Sequence, residues 1–540
     1  MRILFFLLAV TSSVFAQDYD IVLRGGLVYD GLGGAPARAD IGIRKDTIAA
    51  IGDLSAAKAV QEISLDGLAV APGFINMLSW ADGTLLKDGR SMSDIKQGVT
   101  LEVFGEGISP GPRKRSRRSK LWTTLGGYFD HLEKQGVSTN FASFVGATSV
   151  RTYVIGEVNR APTRPELVMM KELVRDAMRQ GAMGVGSSLI YAPATFASTE
   201  ELVELCKSAA EFQGMYITHM RSESDKVQEA IRETIRIAKE AGLPAEIYHF
   251  KINQERNWSK IDAVLAMVDS AQKAGLKITA NMYPYVASAT GLKERVPTWA
   301  QEGTAAEMRT RFVDPVVRKR ILDDMERGFP TKNSDPRQVV LLGFKKDSLN
   351  VLYKGKRLDE VARLHGKSAD ETVLDLVVAD KTSIPSLYFL MSEENMRRML
   401  KQPYVSIGSD GGSLATTADF IDQGTHPRAY GTFARVLGKY TRDEKLFPLE
   451  EAIRKMTSLP AKNLKIARRG ALKTGHYADI VVFDPAAIRD KATYEEPHQY
   501  AEGVRHVFVN GIQVIRDGEH TGAKPGRCVR GPGWTGRGRR

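Results

Sequence analysis

Cysteine is scarce in this chain of 540 residues, which contains only Cys206 and Cys528. Two thiols so far apart in sequence exclude a disulfide-rich scaffold and a cysteine-based zinc module. Long apolar runs are also lacking, since the run at residues 3–10 is far shorter than the ~20 residues that a membrane-spanning helix needs. With 43% apolar and 26% charged residues, the composition is that of a globular protein with several domains, or one large barrel with an attachment.

The formal charge of +12 is concentrated in two short segments. Residues 113–120 and 521–540 each hold six Lys or Arg and no acid, so the rest of the chain is neutral on balance. No aromatic residue lies in the first segment and only Trp534 lies in the second, whereas single-stranded nucleic-acid sites interleave aromatic and basic residues. We therefore expect solvated basic segments and no nucleic-acid partner.

The N-terminus has the pattern of an export signal. Met1-Arg2 precedes the apolar run, and the small residues Val14 and Ala16 precede a cleavage position before Gln17. The alternatives are a buried helix or a membrane anchor, and the short run argues against an anchor. We expect residues 1–16 to be removed and the protein to be periplasmic or extracellular, with no integral membrane span.

The sequence pattern divides the chain into four regions. Residues 18–71 and 462–527 are β-rich and are expected to form one small composite β-sandwich domain, because strands from both ends can pair. Residues 72–461 alternate apolar strands with amphipathic helices, which is typical of a TIM (β/α)8 barrel in the α/β class. An inserted subdomain is expected at about 292–343 and a basic tail at 528–540. The candidate barrel strands lie around 72–79, 99–106, 139–147, 182–188, 214–219, 245–250, 276–283 and 404–409.

Polar residues stand where several of these strands end. His219 ends the fifth, His249 ends the sixth and Asp410 ends the eighth. In a TIM barrel these ends meet at one face, so two imidazoles and a carboxylate suit a divalent metal with an open position and a base for water. The alternatives are histidines without a metal and, for Asp410, a helix N-cap.

Short motifs spread from about residue 20 to 527 resemble one known family. They are Leu68-Ala-Val-Ala-Pro-Gly-Phe-Ile75, Gly98-Val-Thr100, the glycine-rich stretch 181–193, Thr218-His-Met-Arg221, His249-Phe-Lys251, Tyr283-Pro-Tyr285, Ser409-Asp-Gly411, residues 426–433 and residues 478–484. On these motifs the chain resembles the amidohydrolase superfamily and, within it, the N-acyl-D-amino-acid deacylase (D-aminoacylase) family. The resemblance implies a TIM barrel with a composite β-domain, one tightly held Zn²⁺, and hydrolysis of the N-acyl amide of D-amino acids.

The chain departs from the family pattern at two ligand positions. Leu78-Ser79-Trp80 stands where the family has His-x-His after strand one, so a second metal is not expected. Glu106 stands where the family has a cysteine ligand, and a carboxylate is an acceptable zinc ligand. Alternation places Glu102 on the same face but deeper, so Glu106 is preferred. Its alternative role is a buried carboxylate paired with a basic residue.

The resemblance assigns roles to the remaining candidates. Asp410 is expected to move the proton between water and the leaving nitrogen. Arg428 is the first choice for the substrate carboxylate, because arginine grips a carboxylate with two donors. The expected metal ligands are Glu106, His219 and His249. The expected substrate-binding residues are Tyr191, Lys251, Tyr283, Ser288 and Arg428.

The expected function is therefore zinc-dependent removal of the acyl group from an N-acyl-D-amino acid. The alternatives are another amidase, a dipeptidase or a cyclic-amide hydrolase of the superfamily, because a fold does not fix its substrate. A non-catalytic barrel that only binds is disfavoured, since His219, His249 and Asp410 are all present. The sequence leaves the acyl group, the D side chain and the oligomeric state open.

Overall fold

A computed structural model describes residues 17–115, 121–328, 334–421 and 424–536. The expected export signal at 1–16 lies outside these residues, as does 116–120 of the first basic segment. In the first segment, the guanidinium of Arg113 lies 4.2 Å from the ring centroid of Trp122. None of the helices in the described ranges combines the length and apolarity needed to cross a bilayer.

Within these residues, eight parallel strands close into a barrel, which confirms the predicted fold class. The sheet closes where strand one meets strand eight: Met77 N donates to Ile407 O over 3.3 Å, and Asp410 N donates to Leu78 O over 2.8 Å. Each strand is shorter than expected because the chain turns as it leaves the barrel. The strands are Phe74–Asn76, Val99–Phe104, Asn140–Ser143 with Val145–Gly146, Gly184–Ser188, Met215–His219, Ala245–Ile247, Ile278–Met282 and Val405–Ile407.

Helices cover the outside of the barrel, because each has an apolar face to bury. Helix Val227–Ala241 shows such a face, with Ile231 buried, and ends at Gly242, whose φ of +70° forms a left-handed cap. The helices around the barrel are Thr84–Lys87, Met92–Ile95, Leu125–Gln135, Ala147–Ile155, Arg164–Arg179, Thr199–Ala210, Val227–Ala241, Ile261–Lys273, Glu393–Leu400, Ala418–Ile421, Arg428–Arg435, Leu449–Met456 and Ser458–Asn463.

Both ends of the chain build one β-domain. Ala69–Pro72 pairs antiparallel with Ile480–Phe483 in a register that sets Val70 against Val482. The sheet therefore joins segments about four hundred residues apart, as the β character of both ends predicts. Its strands are Tyr19–Val28, Ala37–Arg44, Thr47–Gly52, Ala59–Ser64, Ala69–Pro72, Ile480–Phe483, Val504–Val509, Ile512–Arg516 and Glu519–His520.

A subdomain with its own hydrophobic core is inserted between strands seven and eight. Its core runs from Leu292 to Leu390, so it continues past the end at 343 that the charge-rich sequence indicates. Pro385–Tyr388 is the central strand and pairs antiparallel with both neighbours, Ser288–Gly291 and Val339–Leu341. The helices of this subdomain are Ala305–Val313, Pro315–Glu326, Asp347–Tyr353, Leu358–His365 and Ala369–Asp380.

The C-terminal segment up to residue 536 is a packed strap rather than the solvated tail expected. Val529 N donates to Phe141 O, and Gly531 N donates to Gly181 O. Arg530 lies over the ring of Phe129 and pairs with Asp130 at 3.0 Å. Backbone hydrogen bonds to the starts of strands three and four fix the strap, and composition alone does not reveal such bonds.

We predict that Gly526→Ala destabilises the protein. A Cβ at Gly526 would lie 2.0 Å from Thr139 O, and overpacking of this kind costs about 1–3 kcal/mol. The thermal unfolding midpoint is expected to fall by several degrees. Gly83→Ala is the control, since a Cβ at Gly83 meets no atom within 4 Å. Equal midpoints for the two variants would contradict the packed strap.

Candidate metal centre and active site

The three predicted metal ligands lie together at the carboxyl ends of strands two, five and six. Oε1 of Glu106 is 2.9 Å from Nδ1 of His219 and 3.0 Å from Nε2 of His249. All three side chains are buried, and their ligand atoms lie within 4.8 Å of one another. One carboxylate and two imidazoles converging at this distance form a donor set suited to a divalent metal.

Glu106 reaches this cluster because the chain turns at Gly105. Gly105 has φ +105°, and a Cβ there would lie 2.5 Å from Phe144 O, so only glycine fits. The expected shared face of Glu102 and Glu106 is wrong for this reason. Leu101 and Val103 face the barrel interior, and Glu102 between them faces away from it. On that outer side the hydroxyl groups of Ser79 and Thr139 each donate a hydrogen bond to its carboxyl group over 2.8 Å.

Glu223 belongs to the centre although the sequence did not indicate it. Its Oε1 lies 3.0 Å from Nδ1 of His249 and 2.7 Å from Nζ of Lys251. It is also 3.6 Å from Nε2 of His219. A carboxylate behind a ligating imidazole fixes the ring orientation and increases its basicity. The four-residue spacing from His219 was the only available signal, and it means little in a loop.

The electrostatics follow from burying opposite charges side by side. Burial alone would raise the pKa of Glu106, but the two imidazoles lower it to about 2. Burial would likewise raise the pKa of Glu223, and Lys251 with the imidazoles holds it well below its usual range. Burial and Lys251 lower the pKa of His249, but Glu223 and Glu106 outweigh them and raise it to about 9. A proton and a metal therefore compete for this imidazole.

Asp410 stands at the end of strand eight and is held from two sides. Trp80 Nε1 donates to its Oδ1 over 3.0 Å, and Nη1 of Arg428 lies 2.7 Å from its Oδ2. Its φ of +51°, like the +34° of His249, is unusual for a residue with a side chain. Such backbone strain is typical of functional positions. In the described chain no helix begins at Asp410, so it is not an N-cap.

The predicted substrate-binding residues surround this centre. The Arg428 guanidinium lies 4.7 Å and the Lys251 ammonium 5.6 Å from the ring centroid of Tyr283. The ring of Tyr191 packs edge-on against His219 with centroids 5.0 Å apart. Burial raises the pKa of both tyrosines well above the usual value, so both phenols stay protonated. Ser288 begins the first strand of the inserted subdomain.

A cavity of about 630 Å³ opens above these residues. Its floor includes the metal-ligand cluster, Asp410 and Arg428, and its far wall comes from the inserted subdomain. The subdomain thus covers the carboxyl end of the barrel, which is where TIM-barrel active sites lie. The wall residues from the subdomain include Lys293, Glu294, Arg295, Ser334, Leu342, Tyr388 and Leu390.

Two further buried residues hold the backbone of this centre and were not predicted. Asn281 accepts a bond from His249 N over 2.9 Å. His426 accepts a bond from Arg428 N and contacts Ala287 O, each over 2.9 Å. Burial, with the nearby Arg428, holds the pKa of His426 well below its usual range, so the ring stays neutral. Both residues act on backbone atoms, which sequence patterns do not report.

The chain matches known proteins over most of its length. The model of the amidohydrolase family matches residues 61–515. The chain belongs to the amidohydrolase family. It is accordingly an enzyme that hydrolyses carbon–nitrogen bonds. The chain is 35% identical over 527 residues to a D-aminoacylase of Alcaligenes xylosoxydans xylosoxydans, covering 95% of this chain and 98% of the relative.

Solved amidohydrolase structures superpose over nearly the whole chain. One is an N-acyl-D-glutamate deacylase from Bordetella bronchiseptica with zinc and a phosphonate mimic of the tetrahedral intermediate (29% identity, TM-score 0.80, 95% of this chain and 99% of that one). Another is a D-aminoacylase with a binuclear metal centre, described as activated by one metal and attenuated by the second (34% identity, TM-score 0.80, 95% of this chain and 100% of that one).

We predict that Glu223→Gln weakens metal binding by about 10–100-fold, the effect typical of losing a carboxylate behind a metal ligand. The amide keeps the volume of the side chain but removes the charge that holds His249 and Lys251. Affinity is measured by competition with a metal-sensitive dye. Glu229→Gln, at an exposed position nearby, is expected to bind as the wild type does. Equal affinity in both variants would contradict the role of Glu223.

Proposed function

We propose that this amidohydrolase removes the acyl group from N-acyl-D-amino acids with one bound zinc ion. The observation that carries the proposal is the joint placement of Glu106, His219 and His249 beside Asp410 and Arg428 in one cavity. Metal ligands, a proton carrier and a carboxylate receptor are the groups that this reaction requires. The D-aminoacylase and N-acyl-D-glutamate deacylase relatives support this choice of substrate.

The donor set fits zinc. Glu106, His219 and His249 offer one oxygen and two nitrogens, and three protein ligands leave a position open for water or substrate. The zinc named for the N-acyl-D-glutamate deacylase supports the choice of ion. Zinc held there would supply Lewis-acid chemistry, polarising the acyl carbonyl and making water more acidic.

Asp410 performs the proton transfers. Its carboxylate takes a proton from the attacking water as the oxygen bonds to the acyl carbon. It then passes the proton to the amine nitrogen as the carbon–nitrogen bond breaks. Asp410 suits this task because its backbone is fixed to strand one by a hydrogen bond to Leu78 O and its side chain is held by Trp80 and Arg428.

The substrate carboxylate binds among the cationic and phenolic side chains. Arg428 and Lys251 supply positive charge near the Tyr283 ring, and both line the cavity together with Tyr191 and Ser288. A guanidinium matches the geometry of a carboxylate with paired donors. With the α-carboxylate fixed there and the acyl group directed towards Glu106, His219 and His249, the inserted subdomain would face the amino-acid side chain.

We predict hydrolysis of N-acetyl-D-amino acids by the purified protein, together with one zinc per chain. A panel of N-acetyl-D-methionine, D-glutamate and D-aspartate, their L enantiomers, dipeptides and hydantoins is assayed alongside metal analysis. Chelation is expected to abolish turnover and zinc to restore it. Turnover of only L substrates, dipeptides or cyclic amides would overturn the proposed substrate.

Asp410→Asn, assayed in the same panel, is expected to lower kcat by about 10²–10⁴-fold while zinc stays bound. Asp419→Asn is the matched control, since Asp419 is exposed and its variant is expected to keep wild-type rates. Equal rates for the two variants would remove Asp410 from the mechanism.

We also propose that the enzyme is exported with residues 1–16 removed, on the evidence of the basic, apolar and small-residue pattern. Expressed in a Gram-negative host, the mature chain is expected in the periplasm with Gln17 first, by N-terminal sequencing. Leu7→Arg interrupts the apolar run, and this variant is expected to stay in the cytoplasm with residues 1–16 attached. A wild-type chain retained uncut in the cytoplasm would refute export.

A further inference from the structure

Trp80, in the loop that follows strand one, reaches the active site. Its indole is 38% exposed and lines the cavity. Nε1 of Trp80 donates to Oδ1 of Asp410 over 3.0 Å. The backbones of the two residues are also joined at the closure of the barrel, where Trp80 N donates to Gly411 O over 2.9 Å and Asp410 N donates to Leu78 O over 2.8 Å.

We infer that Trp80 is a positioning residue for Asp410, fixing the proton-carrying carboxylate by a hydrogen bond from the loop that follows strand one. The inference rests on the proposed function for the role of Asp410, but the contact itself does not. Because neither Leu78 nor Trp80 carries a metal-ligating atom, this side of the centre is also closed to a second metal.

The geometry leaves the Asp410 carboxylate little freedom. One oxygen is bound by Trp80 and the other lies beside Arg428, so rotation about the bond to the carboxyl group breaks both contacts. If Arg428 were its only partner, the Asp410 carboxylate could rotate once Arg428 turned to the substrate carboxylate. The indole hydrogen bond holds the Asp410 carboxylate in place while Arg428 changes partner, and proton transfer depends on such placement.

Burial alone does not explain an indole at position 80. Trp80 is 38% exposed and still buries most of its apolar surface, but its Nε1 is directed at Oδ1 of Asp410, whereas Leu78, two residues earlier, is wholly buried in the barrel interior. The two residues thus divide the strand end between them, with one filling the core and the other facing the cavity. Neither Leu78 nor Trp80 carries a metal-ligating atom, and Oδ1 of Asp410 already accepts the hydrogen bond from the indole.

Trp80→Phe removes the donor and keeps an aromatic ring. We expect kcat to fall by about 10-fold, the order of a hydrogen bond to a charged group, with KM changed by less than about twofold and zinc content unchanged. Trp299→Phe is a matched control, since Trp299 Nε1 also donates to a carboxylate oxygen, that of Asp324, over 3.0 Å, and lies in the inserted subdomain. Its kinetics are expected to equal those of the wild type. An unchanged kcat in Trp80→Phe, or a change in KM alone, would overturn the positioning role.

The contact is tested without activity by NMR of protein labelled with ¹⁵N-tryptophan. The indole signal that disappears in Trp80→Phe is expected to shift in Asp410→Asn, while the Trp299 signal stays in place. Wild-type protein dialysed against excess zinc is expected to hold one equivalent. An unshifted Trp80 signal refutes the hydrogen bond, and a second equivalent of zinc refutes the closed site. A wild-type enzyme that hydrolyses nothing while the Trp80 signal shifts would refute the proposed function and leave the contact established.

Discussion

The centre depends on one constraint, which is that several charges are buried together and each must be compensated by another. Glu106 and Glu223 are both nearly inaccessible to solvent, and an isolated buried carboxylate is very costly. Two imidazoles and Lys251 supply the compensation at distances of 2.7 to 3.6 Å. Because each carboxylate contacts at least two of these basic groups, the set behaves as a unit. Removing a single member leaves a buried charge without its partner, and the effect spreads to the metal ligands.

The barrel brings this unit together from distant parts of the chain. Strand ends two, five, six and eight contribute Glu106, His219, His249 and Asp410, and closure between strands one and eight adds Trp80. The sheet sets the spacing of these residues, so the loops need only aim the side chains. The inserted subdomain, with its separate core, provides the far wall. The candidate metal ligands and the far wall of the cavity therefore belong to different structural units, so residues of the wall can change without disturbing the ligand cluster.

Periodicity in the sequence predicts the barrel strands and the pairing of the two β-rich ends, because burial imposes these patterns on the residues. Strand-end position likewise points to His219, His249 and Asp410. Resemblance to the family pattern points to Glu106, whereas the alternation that ranks it above Glu102 fails because Gly105 interrupts the strand. Glu223 and Trp80 lie in loops, where no period exists, and only the folded chain shows their partners. The sequence does not predict the C-terminal strap, because backbone hydrogen bonds fix it. A Gly- and Arg-rich composition does not indicate such bonds.

The two departures from the family pattern have opposite electrical consequences. Glu106 in place of a cysteine keeps one negative charge among the ligands, so a divalent ion there retains a net charge of about +1 to polarise a carbonyl. Leu78 and Trp80 in place of two imidazoles remove ligands altogether and add a neutral donor beside Asp410. The charge at a first metal position would therefore be preserved, while a second position would lose its donors. Glu106 stands beside both imidazoles, so this cluster needs no thiolate. The scarcity of cysteine in the chain agrees with such a site.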